Sequence, residues 1–123
     1  MAIVIERLKR RPDFLRVASG RQKYATPGLV LQMRQREDMP ATTARVGFTA
    51  TRKLGSAVVR NRARRRLREA ARAAMPEAAV AGCDYVLIAR AGTLTRPYPA
   101  LIQDLRTAIA ALSPRGNRTG TGS

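Results

Sequence analysis

Residues 52–72, RKLGSAVVRNRARRRLREAAR, decide how this chain is read. Gly55 and Ser56 make a loop and an N-cap, because a serine hydroxyl accepts from the first free backbone N–H groups of a helix. From Ala57 to Ala74 no proline or glycine interrupts a run of strong helix formers, so the spacing predicts a helix ending near Ala74–Pro76. Wrapped at about 100° per residue, Val59, Ala63, Leu67, Ala70 and Ala74 fall within one arc. Asn61 lies opposite, flanked by Arg64, Arg65, Arg68 and Arg72, while Arg60, Arg62 and Arg66 border the apolar stripe. Glu69 is the only acid on this predicted helix, so the arginines are not neutralised by their neighbours one turn away. A face of one sign repels itself until a polyanion meets it. An ordinary solvated face would carry both signs.

The whole chain has the same bias. Its 123 residues hold 24 Lys and Arg against 8 Asp and Glu, a net charge of +16 with a pI near 11.8, which points to a polyanionic partner. The planar arginine fork suits bidentate phosphate contact. A codon bias would favour arginine over lysine but does not explain the excess of base over acid. There is no histidine and one cysteine, Cys83, which excludes Cys/His zinc sites, disulfides within the chain and histidine-based general base catalysis. Cys83 stands just before an apolar run and reads as a small buried residue. Ile3-Val4-Ile5 is too short for a signal-peptide core, and no stretch is long enough to span a membrane. The expected location is cytoplasmic.

Taken in order, Met1–Glu6 reads as an irregular arm, and residues 7–11, RLKRR, lead into a first helix. Pro12 suits the first helical position, Asp13 complements the helix N-terminus, and Gly20 supplies the stop. Phe14, Val17 and Ala18 share a face of this short helix. Arg21–Ala25 forms a strand, Thr26-Pro27-Gly28 a turn, and Leu29–Arg36 alternates with Leu29, Leu31 and Met33 on one face. Glu37–Thr43 is a loop. Ala44–Thr51 alternates again, with Val46, Phe48 and Ala50 opposed to Arg45, Gly47, Thr49 and Thr51. After the arginine helix comes a connection of small residues, Ala78–Gly82. Asp84–Ala89 then reads as a central strand buried on both faces. Ala91–Arg96 is a loop, and Pro97 and Pro99 bracket the start of a last helix to Leu112, with Leu101, Leu105, Ile109 and Leu112 at helical spacing. Residues 113–123 have the composition of a disordered tail. The order helix, strands, helix, strand, helix reads as an α/β sandwich with one sheet, and a strand–helix–strand unit is ordinarily right-handed.

Arg60-Asn61-Arg62, followed by Arg64-Arg65 and Arg68, resembles the signature of the bacterial ribonuclease P protein subunit. Arg7-Leu8 with Asp13-Phe14, the strand Arg45-Val46-Gly47-Phe48, Lys53 before Leu54-Gly55, Ala57-Val58, and Asp84-Tyr85-Val86 are similar to the family pattern in order and spacing, over residues 7–112. The resemblance implies an α+β two-layer sandwich, α-β-β-β-α-β-α, like that of ribosomal proteins, with one mixed sheet, a left-handed crossover at the arginine helix, and a single RNA-binding domain over 1–112. It implies a subunit that binds the catalytic RNA and the 5′ leader of precursor tRNA while the RNA removes that leader by hydrolysing one phosphodiester. The magnesium ions are then held mainly by the RNA, with none bound by the protein alone, and neither a membrane nor an obligate protein partner is expected. Carried over by position, Arg60, Asn61, Arg62, Arg64, Arg65 and Arg68, joined by Arg52 and Lys53, contact the catalytic RNA. No catalytic or metal-binding residue is expected. Phe14 matches an aromatic of the leader cleft, with Arg45, Gly47 and Thr49 as its sheet floor. Two cleft positions that are aromatic in some relatives are Ala18 and Gln32 here. A base stacked on an aromatic gains about 1–3 kcal/mol, so their absence shifts leader binding towards backbone electrostatics.

Other classes fit the charge alone. A ribosomal or ribosome-assembly protein needs no leader cleft, and a DNA reader needs base-specific side chains that this helix, with one amide among arginines, does not offer. A membrane-surface helix needs more apolar area than a stripe of alanines.

Overall fold

The computed structural model describes residues 3–36 and 42–113. The elements run β1 (Val4–Arg7), α1 (Arg11–Ser19), β2 (Gln22–Ala25), β3 (Leu29–Gln35), β4 (Thr43–Thr49), a single 3-10 turn (Arg52–Leu54), α2 (Ala57–Ala78), β5 (Cys83–Ala89), α3 (Ala91–Thr95) and α4 (Tyr98–Leu112). One mixed sheet has the order β1-β4-β5-β3-β2, with β1–β4 and β4–β5 parallel and the other pairs antiparallel. This is the α+β architecture with a single mixed sheet that the family resemblance implies.

The strands divide their side chains between two apolar clusters. Leu29, Leu31 and Met33 of β3, Val46 of β4 and Tyr85 and Leu87 of β5 pack beneath Leu67, Ala70 and Ala74 of α2 and Leu101, Leu105 and Ile109 of α4. On the other face, Val86 and Ile88 meet Leu8 and Val17 with Phe14 of α1. β5 is therefore buried on both sides, as its unbroken apolar run predicts. Burial pushes the Cys83 thiol above its ordinary value and does the same to the Tyr85 phenol, whose oxygen accepts from Val80 N at 3.0 Å.

Several elements differ from the sequence expectation. The segment read as an irregular arm supplies β1, whose Val4–Arg7 pair in parallel with Thr43–Val46; an edge strand of mixed polarity shows no clean alternation. The arginine helix passes Pro76 and ends at Ala78, so it also carries Glu77. A proline so close to the end removes one hydrogen bond and stops the helix within a turn. Residues 91–96, expected as a loop, hold the short α3, and Thr93 Oγ1 donates from it to Gly28 O. Gly20 follows α1 in right-handed conformation; Arg21 takes the left-handed one, at φ 63°. Ser113 is buried and caps α4, while residues 114–123 of the expected tail and residues 37–41 of the expected loop lie outside the described residues.

Candidate nucleic-acid interface

α2 begins as its sequence dictates. The Ser56 side chain accepts from Val59 N at 3.3 Å, and Gly55 adopts φ 148°, which a residue with a Cβ rarely reaches. Ala63, Leu67, Ala70, Ala71, Ala74 and Met75 are buried, so the apolar arc is the packing face. Val59, at the first turn, is only half-buried.

The opposite face holds the expected RNA contacts, in three different states. Arg62 and Arg65 are exposed, Arg68 is half-buried, and none of them has a carboxylate partner among the described residues. Asn61 accepts from Arg64 Nη2, so the amide holds its neighbour's guanidinium in place. Arg60 Nη1 donates to Gly55 O at 3.0 Å and ties the helix to its entry loop. Arg52 and Lys53 sit exposed on the 3-10 turn. Arg66 turns inward instead: its Nη2 donates to Arg96 O, and its buried Nε has no hydrogen-bond partner.

On the α1 face, Phe14, Arg45 and Gly47 come together. A Cβ at Gly47 would lie 2.4 Å from two carbons of the Phe14 ring, so the glycine lets the ring rest on the strand. Thr49 lies two residues further along the same face, beside Ile88. Gln32 is half-buried opposite Val86 on this face, and Ala18 is exposed on α1.

Arg45 is not an isolated cation. Its Nε donates to Asp84 Oδ1 at 2.9 Å and its Nη2 to Asp84 Oδ2 at 2.7 Å, with Asp13 Oδ2 3.7 Å from Nη1. Arg36 Nη1 donates to Asp84 Oδ1 at 2.7 Å and Arg36 Nη2 to Thr43 O at 3.0 Å. Glu6, Asp13, Arg16, Arg34, Arg36 and Arg45 surround a depression of about 560 Å³ here. Sequence reading places Arg45 but misses Asp84 and Arg36. The signal is an acid opening an otherwise apolar strand, which must find a cation when buried. The strand register that sets Asp84 beside Arg45 is not legible in the sequence.

The family model described as Ribonuclease P matches residues 5–113. The chain is 54% identical over 111 residues to the ribonuclease P protein component of Paramagnetospirillum magneticum, covering 89% of this chain and 84% of that one. It is 51% identical over 116 residues to that of Gluconacetobacter diazotrophicus, covering 94% and 98%. Among solved structures, the RNase P protein from Thermotoga maritima superposes with a TM-score of 0.67 at 27% identity, covering 83% of this chain and 93% of that one. The RNase P protein of Staphylococcus aureus gives a TM-score of 0.69 at 22% identity, covering 87% and 94%, and shares the fold. With a family match across nearly the whole chain and relatives more than half identical, the chain belongs to the ribonuclease P protein family and is the protein subunit of that ribonucleoprotein endoribonuclease, which acts in tRNA 5′ processing.

Proposed function

We propose that the subunit divides its work between two surfaces. The outer face of α2 and the turn before it, through Arg52, Lys53, Arg60, Asn61, Arg62, Arg64, Arg65 and Arg68, bind the catalytic RNA. The groove between α1 and the sheet, with Phe14, Arg45, Gly47 and Thr49, receives the 5′ leader of precursor tRNA. The observation that carries this reading is a helix face whose outermost arginines lack any carboxylate partner among the described residues. Phosphates supply the missing counter-charge, and each contact releases condensed counterions. In the groove Phe14 offers one aromatic platform, and the clamped Arg45 holds its charge at a fixed place rather than sweeping solvent.

No side chain of this subunit takes part in bond cleavage in this reading. Magnesium supplies the charge neutralisation for phosphodiester hydrolysis, and we assign it to the RNA. The described carboxylates fit such an ion poorly: Asp13, Asp84 and Asp104 are each bonded to arginine, and no three potential ligands converge among the described residues. Residues 1–112, with Ser113 as the cap of α4, act as one RNA-binding domain, and 114–123 as a tail. The complex works in the cytoplasm without a membrane or an obligate protein partner; no described helix is long and apolar enough to cross a membrane.

Cleavage of a precursor tRNA by the catalytic RNA at low magnesium, with and without this subunit, tests the division. Stimulation that grows with leader length is expected. Tight binding of the RNA with no dependence on the leader would remove the second surface.

A further inference from the structure

Gly47 and Phe48 are adjacent in β4 and face opposite sides of the sheet. Gly47 lies under Phe14, whereas Phe48 packs against the α2 cluster. β1 ends at Arg7, opposite Val46, so it offers no residue beside Phe48, which stays half-exposed. A cavity of about 260 Å³ opens between this edge and α2. Val46, Phe48 and Ala71 line its floor, Arg7, Arg68 and Arg72 line its rim, and no acidic residue borders it. None of the three arginines is ion-paired among the described residues. The depression under α1 is the reverse case: Asp13 pairs with Arg16 and Arg45, and Asp84 with Arg36 and Arg45.

An aromatic floor ringed by guanidiniums without carboxylate partners matches what an unstacked nucleotide presents: a flat base and flanking phosphates. The volume falls just below the roughly 300–1,000 Å³ of sites for drug-sized ligands, which suits a single base. An apolar side chain of a protein partner would fill the floor but leave the rim without counter-charge. We propose that this cavity takes one unstacked base of the ribonuclease P RNA, stacked on Phe48, with its neighbouring phosphates on Arg7, Arg68 and Arg72. The proposal rests on the reading that α2 binds the RNA, and it adds a base-binding subsite on the sheet face opposite the leader groove.

The test uses holoenzyme reconstituted from the full chain. Phe48→Leu keeps an apolar floor and removes the ring; RNA affinity is expected to fall about five- to 150-fold, the equivalent of one stacked base, while Phe48→Tyr stays near the parent. Arg72→Ala, at an exposed position, is expected to weaken binding and lower its salt dependence even if Phe48→Leu perturbs folding. Azidophenylalanine at position 48 is expected to crosslink to one dominant nucleotide of the RNA subunit. Crosslinks to precursor tRNA or to protein, or none, overturn the proposal. If Arg62→Ala and Arg65→Ala weaken RNA binding while Phe48→Leu and Arg72→Ala do not, the cavity alone is refuted. If none of the four has an effect, the reading of α2 falls with it.

Discussion

Asp84 and Arg45 meet through both carboxylate oxygens, at 2.9 and 2.7 Å, on neighbouring parallel strands. The carboxylate is 1% exposed, and Arg36 binds it from a third direction. Such a buried acid is stable only while its cations remain. Asp84→Ala leaves two partly buried guanidiniums without it and should cost about 3–5 kcal/mol in urea unfolding. Arg45→Ala should cost less, since Arg36 still satisfies the carboxylate. Equal losses from both would mean that Arg36 contributes nothing.

Gly47→Ala should force α1 away from the sheet, because the new methyl would sit 2.4 Å from the Phe14 ring. Overpacking of this kind costs about 1–3 kcal/mol. Combined with Phe14→Ala the two losses should not add, and a double-mutant cycle of unfolding energies measures the shortfall.

Arg65→Ala should leave the fold intact and weaken binding to the catalytic RNA. The slope of log affinity against log salt should drop by about 0.7–0.9 for each phosphate that Arg65 neutralises. An unchanged slope would show that Arg65 touches no phosphate.

Leu67→Asp should unfold the domain. Leu67 is fully buried on the side of α2 that packs on the sheet, and an unpaired carboxylate there costs several kcal/mol out of a typical total of about 5–15. Circular dichroism decides it; a folded variant that merely loses RNA affinity would place the packing face of α2 elsewhere.

Alkaline pH should destabilise the fold before it touches any arginine. Burial raises Cys83 above its ordinary 9.0 and Tyr85 above its ordinary 10.0, so the unfolded chain gives up these protons first. The contribution of these two groups to stability is therefore level below about pH 9 and falls above it, by up to about 1.4 kcal/mol per pH unit for each group. Cys83→Ala should remove the part of the decline that begins near pH 9, read from urea midpoints between about pH 7 and 10.5.

What can be read from the sequence depends on how strongly each pattern repeats. α2, β3, β5 and α4 are legible because their apolar residues recur at one period or run unbroken over a whole element. β1 is not: Val4–Arg7 is short, mostly exposed, and held by pairing with a strand some forty residues away. α3 escapes for a similar reason, being five residues fixed by its contact with the Thr26–Gly28 turn. For the site, composition shows the excess of arginine, but not which arginines the fold uses internally. Arg66 bonding to Arg96 O and Arg36 to Asp84 are tertiary choices, set by register and helix packing.

The place of β5 in the sheet also governs the order in which the molecule can be made. It is the last strand in sequence yet the middle one in space, joining β1–β4 on one side to β3–β2 on the other. On the ribosome, both outer strand pairs and the self-repelling arginine helix have emerged before the strand that unites them. Folding of the sheet must wait until residue 89 clears the exit tunnel, and an interrupted nascent chain ending at Gly82 holds all of α2's charge with no completed core behind it.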